Sequence, residues 1–286
     1  MPLRSLLRAA FAGACLSLYS TFALAALTVV DIDGIAANGH EGVYDDVLDI
    51  TWLRDANIAA SNQFGLSSGI SLGGPSIGSM NWHTAGTFVD AMNALNGGAG
   101  YLGVNSWRVP TATPVNGTNF VYGNYATYDG STDRSYNLTA PPGVYNPTPG
   151  TNSLGFIGSE LAYHYYNNFQ AIPECSGTGT TCVKYNTNIY GLQRAPDPNG
   201  YLAFFDNIQT NLVSNAYWTD IAADATDGVA FRTYWGSQTL RQKNYFHHVW
   251  VVASGNVAAS TVPVPGTVWL FGSALAGLLG YRRSRA

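Results

Sequence analysis

Asn81–Thr111 reads NWHTAGTFVDAMNALNGGAGYLGVNSWRVPT, and this stretch decides the fold class. Trp82, Ala85, Phe88, Val89, Met92 and Leu95 recur at steps of three and four, which predicts one amphipathic helix. Ser79 or Asn81 is its candidate cap, and Asn96-Gly97-Gly98 ends it. The aromatic and methionine stripe reads as core rather than as a binding surface. Behind the glycines comes Trp107-Arg108-Val109-Pro110-Thr111.

Working outward, Leu27–Val30 predicts a first strand, and Gly42–Asp55 predicts two short strands around an acidic turn. A second helix, from Gly158-Ser159-Glu160-Leu161 through Phe169, is implied by the family resemblance given below. Ala216–Thr219, Gly228–Tyr234, Ser237–Lys243 and Val249–Val252 read as consecutive short strands, with Asp227-Gly228 and Trp235-Gly236 supplying glycine turns. Helices early and a strand meander late give an α+β layout.

The two ends of the 286-residue chain have a different character. Arg4 and Arg8, an apolar run from Ala9 to Leu24 and the small-x-small site Ala23-Leu24-Ala25 predict a secretory signal over residues 1–25. Export leaves Cys175 and Cys182 where disulfides persist, and they are expected to bond to each other; no second Cys or His cluster nearby suggests a redox or metal pair. The segment 27–261 holds 8 basic and 17 acidic residues, a net −9 that argues against nucleic acid as a partner. Its length of roughly 230 residues suits one core and one domain.

At the other end, VPVPGTVWLFGSALAGLLGYRRSRA runs from Val262 to Ala286. Counted from Gly266 to Tyr281, its apolar part has 16 residues. As a helix that spans about 24 Å, against a hydrocarbon core of about 30 Å. Arg282, Arg283 and Arg285 follow at once and favour a cytoplasmic C-terminus. The segments so defined are a linker and junction at 257–265 and a short transmembrane helix with its Arg cluster at 266–286.

This tail resembles the PEP-CTERM sorting signal of Gram-negative bacteria. The usual Val-Pro-Glu-Pro junction is here Val262-Pro263-Val264-Pro265, followed by Trp269 and the Arg cluster. The resemblance implies processing at the junction by an exosortase-type membrane transpeptidase, in organisms that make extracellular polysaccharide. An uncut membrane anchor is the alternative.

The body carries a second resemblance. Thr51-Trp52-Leu53-Arg54-Asp55, the helix with Trp82, the Trp107-Arg108-Val109-Pro110-Thr111 run, Glu160, Tyr217-Trp218-Thr219 and Trp250 are together similar to the Lcl C-terminal domain family, a domain of unknown function of the DUF1566 type. The match spans 27–256 as a domain. In that family an acidic helix directly follows Trp-Arg-Leu-Pro-Thr; here residues 112–157 intervene, rich in Asn, Gly, Pro and Tyr, and Glu160 takes the displaced role. The implied fold is C-type-lectin-like, two helices packed on a small antiparallel sheet with long loops.

Candidate chemistry is sparse. Asp31, Asp33, Asp45, Asp46 and Asp49 suggest calcium, but Asp31-Ile32-Asp33-Gly34 lacks the rest of a calcium loop, and turn-forming aspartates are the simpler reading. The Glu-Pro-Asn, Gln-Pro-Asp and Trp-Asn-Asp tripeptides of calcium-dependent lectins do not occur. His247 and His248, neighbours in a strand, should face opposite sides, one core and one solvent. Glu160 and His164, at i and i+4, suit a local pair. His83 stands beside Trp82 without a nucleophile or carboxylate at helical spacing. No nucleophile–base–orienter set assembles, so neither catalysis, cofactor nor resident metal is expected. Tyr122, Tyr125, Tyr128, Tyr136 and Tyr145 crowd the insertion, and aromatic faces with Asn, Ser and Thr partners suit carbohydrate or protein surfaces. The expectation is an exported, non-catalytic surface or matrix protein that contacts exopolysaccharide. Its rivals are an enzyme acting on extracellular polysaccharide, for which two acids facing one cleft would speak, and a purely structural coat component.

Overall fold

The computed structural model describes residues 26–115, 159–171, 175–176, 183–184, 191–210 and 216–259. The expected signal at 1–25, residues 116–157 of the expected insertion, Cys182 with its expected pairing to Cys175, and the expected sorting tail lie outside the described residues. Among the described residues, no helix is long and apolar enough to cross a membrane.

In chain order the elements are β1 (Leu27–Val30), β2 (Gly42–Asp45), β3 (Ile50–Leu53), α1 (Trp82–Gly98), β4 (Trp107–Arg108), α2 (Glu160–Tyr163), β5 (Cys175–Ser176), β6 (Val183–Lys184), β7 (Ala216–Ala222), β8 (Asp227–Arg232), β9 (Ser237–Gln242) and β10 (Val252–Ser254). A five-stranded sheet runs β1-β2-β3-β10-β4, a three-stranded one β7-β8-β9, and β5 pairs with β6; every pairing is antiparallel. The molecule is thus mixed α/β, mostly sheet, with two helices.

Local sequence explains most of these elements. The β2–β3 turn forms because Asp45 accepts the backbone N–H groups of Val47 and Leu48 through Oδ1, at 3.1 and 3.0 Å. Asn81, rather than Ser79, caps α1 by accepting the N–H of Thr84 at 2.9 Å. The helix loses its dihedrals at Leu95, and Asn96 and Gly97 are left-handed, so the Asn-Gly-Gly stop acts where expected. Gly100 then has φ +85°, and a Cβ there would lie 1.8 Å from the carbonyl oxygen of Val104.

Two expectations change. The last four predicted strands do not form one meander. β7, β8 and β9 do, but the chain then crosses to the other sheet, where β10 enters between β3 and β4 with Val252 opposite both Trp52 and Arg108. The extended run starts before the ladder: Val249–Val251 is buried connection and pairing is regular only from Val252. The second helix reaches its expected length but not in one register. Ser159 caps Glu160–Tyr163, and His164–Asn168 continues as a single π turn.

The core divides by the period-two alternation of the strands. Trp52, Val252 and Tyr217 enter one cluster with Leu161, Tyr165, Tyr166 and Phe169 from α2 and the π turn. Their chain neighbours Leu53, Ala253 and Trp218 enter the other, with Ala85, Phe88, Val89 and Met92 of α1. Both central sheets therefore bury two faces. The buried indoles also fasten loops: Trp107 Nε1–H donates to Tyr101, Trp218 to Met80 and Trp250 to Leu53, each to a backbone carbonyl at 2.8–3.0 Å.

Candidate functional site

The exposed edge of α1 and the strands beside it enclose a groove of about 380 Å³. From the helix it receives Trp82, the exposed His83, Gly86, Val89, Asp90 and Asn93, one face at helical spacing, so His83 stands at the groove rim beside Trp82. From across it receive Trp107, Arg108 and Val109, and from β7 Thr219 and Asp220. Trp82 belongs to the apolar stripe read from sequence as core, yet it is half-buried and lines this groove; the stripe that is fully buried starts at Ala85. Gly86, with no side chain, leaves the middle of the helix face open.

Each wall is held by identifiable bonds. Asn93 uses both ends of its amide on Trp107, donating to its carbonyl at 2.8 Å and accepting its N–H at 2.9 Å, which pins α1 to β4. Arg108 donates to both carboxylate oxygens of Glu160 at 2.6 and 2.8 Å, and Glu160 also accepts the N–H of Thr111 at 2.8 Å. Burial disfavours the Arg108 charge, but the bonds and charge of Glu160 outweigh it and raise the pKa of the guanidinium. Asp220 donates its own N–H to Pro110 at 3.0 Å and accepts that of Ala112 at 3.1 Å. The residue is exposed overall, yet its carboxyl lies against this wall, and desolvation raises its pKa above the ordinary aspartate value. Trp82 donates from Nε1 to Thr219 at 3.0 Å and packs on Gly228, where a Cβ would come within 2.7 Å of the ring. Lys243 sits over the same indole, 4.9 Å from its centre.

Four of the five members of the Trp107–Thr111 run thus have their own tasks. Trp107 fills the second cluster, Arg108 takes the bidentate ion pair, Pro110 offers its carbonyl to Asp220, and Thr111 gives its N–H to Glu160. Glu160, only 6% exposed, meets Arg108 across 52 residues, so the expected pairing with His164 is corrected. His164 is instead enclosed. It stacks on Trp52 at 4.3 Å, is ringed by Phe169, Phe205 and Trp250, and bonds Asn168, which donates to Asp45 at 2.7 Å. Burial holds its pKa well below the usual value.

Other sequence candidates stand elsewhere. Trp52, Tyr217 and Trp250 are in the first cluster and Trp218 in the second. Asp55 accepts from Asn57 and Asn207 and ties two loops together. His248 is buried and His247 is half-buried edge-on to Trp218 at 4.7 Å, so the core-and-solvent division expected of them is corrected. Desolvation lowers their pKa values to about 4 and about 3 respectively. Asp31 and Asp33 accept the N–H groups of Gly34 and Ile35, and Asp49 and Asp46 take the Tyr44 hydroxyl and the Ala26 N–H. Glu41 joins Asp31 and Asp33 with carboxylate oxygens within 4.8 Å of one another, and one of its own accepts from Ile32.

Sequence reading missed Asp90 and Asp220 as groove residues. Asp90 stands eight positions after Trp82, two turns along the same face, and Asp220 follows the Tyr217-Trp218-Thr219 landmark directly. Comparison with protein-family models, with curated proteins and with solved structures finds no match.

Proposed function

We propose that this is an exported surface or matrix protein whose C-type-lectin-like domain, of the Lcl C-terminal kind, binds extracellular polysaccharide in the groove beside α1. The observation that carries the reading is the groove itself. An aromatic ring, two carboxylates and an arginine line one concave surface, and the ring, the arginine and Asp220 are each held by a partner behind them. Ring faces contact the apolar side of sugars and fixed polar groups take the hydroxyls, which orients a glycan without chemistry on it. The signal at 1–25 and the junction at Val262–Pro265 supply the route outward, with an exosortase-type transpeptidase as partner at the tail.

A second reading, cleavage of such a polysaccharide, is favoured by Asp90 and Asp220 lining the same groove. One experiment separates them. The purified full chain is passed over immobilised host exopolysaccharide and the eluate assayed for new reducing ends. Retention that weakens at least tenfold in Trp82→Ala, without new reducing ends, supports binding. Turnover abolished by Asp220→Asn supports the enzyme, and neither retention nor turnover removes both.

A further inference from the structure

We infer that the groove selects glycans that carry free amino groups, polymers of deacetylated hexosamine, over neutral and acidic ones. This rests on the glycan-binding reading and names the ligand class for the same groove.

The inference comes from the balance of charge along the walls. Four ionisable side chains line the groove: Asp90, Asp220, Arg108 and the exposed His83. Arg108 brings no free positive charge, because two of its guanidinium nitrogens are committed to Glu160 at 2.6 and 2.8 Å, a partner that is itself 6% exposed. Asp220 has its carboxyl bonded to Ala112 and to Thr111, both uncharged donors. Asp90 is exposed and makes no hydrogen bond or ion pair among the described residues. The groove therefore faces its occupant with two carboxylates, against one guanidinium already paired with Glu160 and one imidazole, that of His83. Lys243 stands over one face of Trp82, 4.9 Å from the ring centre, lines the neighbouring cavity and donates to the Asp224 carbonyl.

A uronate or sulfated sugar would bring negative charge against both acids. A neutral sugar would leave them solvated and indifferent. An ammonium on a pyranose ring would satisfy one, while the ring lies along Trp82. The chain's wider field has the same sign, since residues 27–261 carry 17 acids against 8 bases. A lysine-rich peptide would meet the charge, but not the demand of a rigid, flat-sided occupant next to an indole held at Nε1 and on its Gly228 side. The groove volume falls in the range of small-ligand sites, about 300–1,000 Å³, enough for a short stretch of pyranose chain.

The test measures affinity of the detergent-solubilised full chain for three oligosaccharides of equal length: a β-1,4-linked glucosamine oligomer, its fully N-acetylated form, and a uronic acid oligomer. Two ion pairs, one at exposed Asp90 and one at the Asp220 carboxyl set against the wall, predict that the amine form binds about tenfold more tightly than the acetylated one. The uronate should bind most weakly. Asp90→Asn, at an exposed position, should weaken binding of the amine form severalfold more than binding of the acetylated form, and so cut the amine preference; Asp220→Asn, which keeps an acceptor for Ala112, should do the same. If the uronate binds as well as the amine form, or the preference survives both variants, the inference fails while glycan binding stands. If no oligomer binds, the glycan reading fails and takes the inference with it.

Discussion

Removing the charge of Glu160 should loosen the domain at one place and by a calculable amount. Glu160 receives three charge-assisted hydrogen bonds, two from Arg108 and one from the Thr111 backbone, in a site that leaves it 6% exposed. Breaking one partner of a buried pair costs about 3–5 kcal/mol. Arg108 keeps 34% of its side chain in solvent, so water recovers part of its charge and the lower end applies. Glu160→Gln, which can still accept from Thr111, should therefore cost about 2–3 kcal/mol, or a fall of about 5–10 °C in Tm for a domain of this size. Urea unfolding followed by tryptophan fluorescence reads this directly, since four tryptophans are fully buried. The interaction is isolated by adding Arg108→Met and the double variant. A coupling of about 1.5 kcal/mol or more is expected, because the second substitution removes the charge that the first strands. A coupling below about 0.5 kcal/mol would refute the reasoning and reduce the pair to a surface contact.

Acid should destabilise the protein well before its carboxylates titrate in the unfolded chain. His164, His247 and His248 are kept neutral by burial, with folded pKa values below the ordinary 6.5. The unfolded chain then binds protons that the folded one refuses, so this stability is intact above pH 6.5 and is lost as pH falls, by up to about 1.4 kcal/mol per unit for each histidine. Asp45 and Asp220, raised by burial, work in the opposite direction at lower pH. The urea midpoint should drop between pH 7 and 5, and His164→Gln should remove about one proton from the slope; a flat profile would contradict the burial of these rings. A backbone test is Gly100→Ala, whose Cβ meets the Val104 carbonyl at a left-handed φ, against Gly97→Ala, left-handed but open. The first should cost about 3 kcal/mol or more and the second about 1 kcal/mol, both measured by thermal unfolding, and equal losses would show that the 100–105 turn yields.

What the sequence made legible was local. The β2–β3 hairpin with its aspartate turn, the Asn81 cap and the glycine stop of α1 depend on residues a few positions apart, and all three form as read. The place of β10 was not legible. Val249-Trp250-Val251-Val252 is apolar throughout and suits any buried strand; its position is set by register against Trp52 and Arg108, far away in the chain. Helical spacing put His164 within reach of Glu160, but a bidentate arginine outbids a neutral imidazole that gains more by stacking on Trp52. The π turn carries no spacing signal of its own. The groove was half legible: Trp82, Arg108 and Glu160 were singled out as landmarks, whereas Asp90 and Asp220 come together only when α1 and β7 are packed on the same side of β4.

The Arg108–Glu160 pair also joins the two ends of residues 112–157. Thr111 and Glu160 are joined twice, through the Glu160 carboxylate and through the Glu160 N–H to the Thr111 carbonyl at 3.3 Å. Asp220 fixes Ala112 on the outgoing side, and Ser159 caps α2 on the returning one. Whatever leaves at Ala112 must come back to a point already defined. Lengthening such an excursion costs only about 0.6 kcal/mol of closure entropy for each doubling, less than the charge-assisted bonds at its neck supply. Two of the residues at this neck, Arg108 and Asp220, also line the groove, so the bonds that close the neck hold the groove wall as well.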